Sequence, residues 1–135
     1  MDVDFKAPSD TSACFVADMV VLPSSNLLVA DLKNNSVKVV DVHTGHLLSY
    51  AQLPGVPRSL CLLPDDRAVV SLPFMRKICI FDVSTDHINF LNNVDVEGQC
   101  YGLAYVNDTF VVGFMAPQGA VASTNIEGNV LKSVS

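Results

Sequence analysis

Apolar residues in this chain come in short packets divided by turn-forming residues, and no stretch carries them at the three- and four-residue spacing of an amphipathic helix. The packets are rich in Val, Ile and Leu and lack strict in-out alternation, which is the pattern of strands buried on both faces. Four strands are expected first, at residues 15–22, 27–31, 37–42 and 47–53. Between them lie Pro23-Ser24-Ser25-Asn26, Lys33-Asn34-Asn35-Ser36 and His43-Thr44-Gly45, residues that accept turn dihedrals. A second set is expected at 59–63, 68–72, 78–83 and 88–94, and a third at 102–106, 109–114, 120–125 and 130–134. Hairpin loops this short predict antiparallel meanders.

The three sets are copies. Moved forward by 41 positions, residues 17–47 land on 58–88 without a gap: Leu22 on Leu63, Pro23 on Pro64, Val29 on Val70, Asp41 on Asp82 and His46 on His87. A weaker copy at 101–134, one residue shorter, places Leu103 on Leu60, Val111-Val112 on Val69-Val70 and Glu127-Gly128 on the turn at Thr44-Gly45. A period near 40 built of short strands is the mark of propeller blades. The expected fold is all-β: a partial β-propeller of about three four-stranded antiparallel blades in an open arc, at 15–57, 58–100 and 101–135. Residues 1–14 are expected to be a tail, with Val3-Asp4-Phe5 a strand of a preceding blade. Closed propellers use roughly 4–8 blades. The chain is therefore expected to be part of a longer propeller, or to need missing blades or self-association to cover its end faces.

Composition narrows the function. Half of the 135 residues are hydrophobic, yet no apolar run reaches the length of a membrane span, so no membrane partner is expected. A net charge of −6 disfavours RNA held by overall charge. Cys14, Cys61, Cys79 and Cys100 show no metal-ligand spacing and read as reduced packing residues, and Met1-Asp2-Val3-Asp4 is not a secretory signal. A cytoplasmic setting without cofactors is expected. The sequons at Asn34 and Asn107 fall on turns. His46 and His87 occupy matching turns without further donors, so a turn role is expected rather than a metal site. Asp41 and Asp82 are expected to hold the turns after the third strands. No hydrolase, zincin or phosphate-loop motif is present in the sequence.

Asn26-Leu27-Leu28-Val29-Ala30-Asp31, followed by Asn34-Asn35-Ser36-Val37-Lys38-Val39-Val40-Asp41, resembles an NHL repeat. Leu53-Pro54-Gly55-Val56-Pro57 and the run from Leu62 to Pro73 resemble the C-terminal propeller of invertebrate tripartite-motif proteins. Leu72 departs from the pattern where the first repeat has Asp31, and Thr124 departs where it has Asp41. The resemblance implies a propeller of about six blades that serves as a recognition platform, selecting targets for an N-terminal RING ubiquitin ligase. This chain has no RING or B-box cysteine spacing, so ligase chemistry is not expected within it.

In a meander blade the loops between second and third strands share one rim with the links between blades. By family resemblance this is the binding face. It carries Lys33, Arg58, Arg76 and Lys77 against Asp10, Asp31, Asp95 and Glu97, and is expected to be close to neutral. The sharpest candidate is Pro73-Phe74-Met75-Arg76-Lys77, where an aromatic, a thioether and two cations share a loop tip. Phe74 has the alternative of folding back as core. Lys33, Asn34, Arg58 and Tyr101 complete the expected partner-binding set. The expected function is a protein-interaction platform for a protein partner or ubiquitination substrate. Alternatives are an RNA-binding NHL propeller and a metal-dependent propeller hydrolase or lyase.

Overall fold

The computed structural model describes residues 6–84, 87–107, 109–114, 121–124 and 130–134. Among these residues twelve strands form three separate sheets. The first holds β1 (Val16–Val21), β2 (Leu27–Asp31), β3 (Ser36–Asp41) and β4 (His46–Gln52). The second holds β5 (Leu60–Leu63), β6 (Arg67–Leu72), β7 (Lys77–Ser84) and β8 (His87–Asp95). The third holds β9 (Cys100–Val106), β10 (Thr109–Phe114), β11 (Val121–Thr124) and β12 (Val130–Val134). Every sheet is an antiparallel meander with its strands in chain order. A single 3-10 turn, Pro73–Met75, is the one helical element among the described residues. None of the helical structure described is long and apolar enough to cross a membrane.

The sheets stack face to face, and that explains the unalternated packets. Leu28, Ala30, Val37 and Val39 of the first sheet share a core with Ala68, Val70, Leu72, Cys79 and Phe81 of the second. The intervening residues of the second sheet, Val69, Ile78 and Ile80, turn the other way and pack with Cys100 and Val112 of the third. Each middle strand is thus apolar on both sides. The outermost strands β4 and β8 are largely half-buried or exposed, although β8 still sends Ile88 to the core of the first two sheets and Val94 to that of the second and third.

The repeat extends to backbone irregularities. Ser25, Asp66 and Asn107, spaced 41 apart, each take a positive φ in the turn after the first strand of their sheet. The β3–β4 pairing slips between Val39 and Val40, and the β7–β8 pairing slips between Ile80 and Phe81, again 41 residues on. Neighbouring sheets are also tied by polar bonds at one matched position. Asp18 Oδ2 accepts the Leu60 amide at 2.8 Å, and the Ser59 hydroxyl donates to the Tyr101 carbonyl. Asp41 accepts from the His43 and Thr44 amides at 2.8 and 3.3 Å, the expected turn role. The His46 amide donates to the Thr44 hydroxyl at 3.3 Å.

Two expectations change at the start of the chain. Residues 6–15 form no strand, but they are not loose: Asp10, Thr11, Ser12 and Cys14 all bond to residues of β3 and the β2–β3 loop. The face of the first sheet turned away from the second is therefore not bare, since Val29, Lys38 and Val40 are buried. The Val3-Asp4-Phe5 strand and the turns at Thr85 and at Glu127-Gly128 lie outside the described residues.

Candidate functional site

The β6–β7 loop is built to project. Pro73 opens the 3-10 turn with its preset φ, and Arg76 closes it in the left-handed region (φ 53°), its amide donating to the Pro73 carbonyl at 3.1 Å. Asn35 takes a similar positive φ (48°) 41 residues earlier, and Asn tolerates it better than Arg does. The turn lifts Phe74 to 68% exposure, so Phe74 is not folded back as core. Met75, 38% exposed, lies over the link between the first two sheets: a Cβ on Gly55 would sit 2.6 Å from its sulfur. Gly55 is therefore where two segments of the rim touch.

Around this loop the structure gathers an apolar groove of about 310 Å³, lined by Leu32, Val56, Arg58, Pro73, Phe74 and Tyr101 among others. Three of the residues expected from the sequence meet here: Phe74, Arg58 and Tyr101. The Arg58 guanidinium stands over the Tyr101 ring at 6.0 Å, and Lys33 stands 5.7 Å from the Phe15 ring centroid. Lys77 is paired with Asp95 at 2.5 Å, which removes it from the available cations. Asn34 does not belong to a contact surface. It is buried, accepts the Thr11 and Ser12 amides, and donates to the Ser12 carbonyl and Asp31.

The expected neutrality of the rim is corrected by where its carboxylates go. Asp10 and Asp31 turn inward onto Lys38, their side chains 1% exposed. Asp95 is spent on Lys77. Among the described rim side chains this leaves Lys33, Arg58 and Arg76 exposed against Glu97, and no carboxylate lies within ion-pair distance of those three cations. An acidic protein thus carries a basic rim.

Lys38 itself was not singled out from the sequence. It sits fully buried in β3, its Nζ 2.5 Å from Asp10 Oδ2, 2.9 Å from Asp31 Oδ2 and 3.3 Å from Cys14 Sγ. Asp10, Cys14 and Asp31 bring ligand atoms close enough to hold a metal ion, but the Lys38 ammonium already stands among them and offsets one of the two carboxylate charges. Burial pushes the Asp31 carboxyl up, yet bonds from the Phe15 amide, Lys38 and Asn34 outweigh it and hold the pKa down at about 2. Burial alone would lower Lys38, but the bonds to Asp10 and Asp31 raise it above its ordinary value. The sign follows from both. Asp31 contributes stability fully present above its unfolded value of 3.8 and lost as pH falls towards 2. Lys38 contributes stability fully present below 10.5 and lost as pH rises through its higher folded value. Wild-type Tm is therefore expected to drop between pH 4 and pH 2 more steeply than that of Asp31→Asn, a difference of roughly 2 kcal/mol at full titration; parallel curves would contradict it.

No protein-family model and no curated protein matches the sequence. Among solved structures, the chain is similar to Kuenenia stuttgartiensis hydrazine synthase, with TM-score 0.74 at 13% identity, over 95% of this chain and 38% of that one. It is similar to Myxococcus xanthus glutaminyl cyclase, with TM-score 0.72 at 10% identity, over 90% of this chain and 50% of that one. It is also similar to the β-propeller domain of Cps50 (Swd1) from Myceliophteria thermophila, with TM-score 0.71 at 11% identity, over 90% of this chain and 43% of that one. The chain thus spans half or less of the length of these three structures. At such identities the likeness speaks for the fold alone. Three stacked four-stranded meanders and propeller-like neighbours together make this chain a partial β-propeller.

Proposed function

We propose that the rim around the β6–β7 loop is a protein-docking face, and that the chain is part of the recognition propeller of a tripartite-motif-like protein. On this reading it holds a protein partner, or a substrate for ubiquitination, and does no chemistry itself. The observation that carries the reading is Phe74: an aromatic raised to 68% exposure at the lip of an apolar groove, beside cations that lack carboxylate partners. Exposed aromatics and arginines around a desolvated pocket are the usual energetic centre of an interface. The four cysteines are free thiols, and burial pushes Cys79 and Cys100 up to about 11 and about 12, which suits packing in a reducing cytoplasm better than zinc ligation. Further blades or another copy would cover the third sheet.

A photo-crosslinking phenylalanine analogue at position 74 is expected to trap protein partners in native lysate, while the same analogue at Ser24, on the opposite rim, does not. Arg58→Ala in the position-74 protein is expected to reduce the adducts. Equal adducts from both rims, or none from position 74, would remove the assigned face. The exposed cations favour RNA as the second reading, and retention of RNA on a filter at low salt, lost in Arg58→Ala, would put it first.

A further inference from the structure

The chemistry of the groove narrows what it accepts, on the reading that this rim is a docking face. Its volume of about 310 Å³ lies at the small end of binding pockets. That is room for one or two side chains of a linear segment. The lining is almost wholly hydrocarbon, contributed by the β2–β3 loop, the link before β5, the β6–β7 loop and the start of β9. Arg58 lines it, and Lys33 and Arg76 are exposed on the two loops that contribute Leu32 and Phe74, with Glu97 the opposing carboxylate among the described rim residues. The rest of the surface has the opposite sign: the chain carries −6 overall, and the other rim presents Asp41, Asp65, Asp66 and Asp82.

We propose that the groove takes an extended, acidic peptide segment, with one apolar side chain seated between Phe74 and Tyr101 and flanking carboxylates facing Arg58 and Arg76. Charge complementarity selects this occupant. An acidic segment is repelled by the opposite rim and drawn to this one, so the field of the whole molecule orients it before contact. Burial of one Leu, Phe or Pro side chain then supplies the short-range term. An RNA strand is served less well. Three cations neutralise few phosphates, and Phe74 is the one exposed ring of the groove, too few for successive bases to stack on.

The test is selection of random linear peptides displayed on phage against the immobilised protein. Enriched sequences are expected to carry Leu, Phe or Pro flanked by Asp or Glu. A synthetic copy is expected to bind Phe74→Ser and Arg76→Glu protein at least about tenfold more weakly, and to lose affinity as salt rises. Both positions are exposed, and an unchanged Tm shows that the variants fold. No enrichment, or enrichment of basic sequences, overturns the proposal, as does polyuridylate RNA displacing the selected peptide. Peptides that depend on Phe74 but carry no acids overturn the acidic partner and leave the docking face standing. Peptides indifferent to both positions, together with absent crosslinks at position 74, overturn both.

Discussion

Lys38→Met is expected to destabilise the protein by about 3–5 kcal/mol, the cost of leaving buried carboxylates without their cation. Asp10 and Asp31 would stay buried facing an apolar side chain, and the segment from Ala7 to Phe15 would lose its bonds from Asp10 and Cys14 to β3. The second repeat shows an apolar solution at the same two places: Leu72 stands 41 residues after Asp31 and Cys79 stands 41 after Lys38. Lys38→Cys combined with Asp31→Leu is therefore expected to recover part of the loss. Recovery stays partial because the Phe15 amide and Asn34 lose their acceptor and Asp10 loses its cation. Urea denaturation of the three proteins measures this. A loss below about 1 kcal/mol for Lys38→Met would give the network no more weight than a surface ion pair.

Phe81→Ala is expected to cost about 3–5 kcal/mol, the usual range for emptying a buried aromatic site. Phe81 is fully buried where the first two sheets meet, among Val39, Leu60 and Cys79. Its ring meets Phe90 edge-on at 5.7 Å between centroids. Phe90 on the outermost strand is 39% exposed, so Phe90→Ala serves as the control, with a clearly smaller loss expected. Equal losses for the two would mean that the contact between sheets is not what holds them.

The fold was legible because its signal is written repeatedly. Strand positions, turn positions and the order of pairing follow from apolar packets and a 41-residue offset, and β1 to β12 fall where those packets lie. The 3-10 turn at Pro73–Met75 is not legible within the expected loop, because three residues carry too little periodicity to mark it. The rim was legible in part. Phe74, Arg58 and Tyr101 share a groove as their repeat positions implied, but a count of charges per rim could not tell which carboxylates face inward. Asn34 looked available because it sits in a polar loop, and only the fold of residues 10–15 over it removes it from the surface. Lys38 had a signal that went unused. A lysine inside a strand buried on both faces requires a counter-charge, and both Lys38 and Asp31 become apolar together in the next repeat.

The bonds from Asp18 to the Leu60 amide and from Ser59 to the Tyr101 carbonyl have a mechanical consequence. The first fastens β1 to β5 and the second fastens the residue before β5 to β9, while the outermost strands have no such tie among the described residues. A sheet that comes apart therefore strips its neighbour of a backbone partner as well as an apolar wall. Loss of structure would travel around the arc instead of halting at a boundary, and the three sheets would melt as one body.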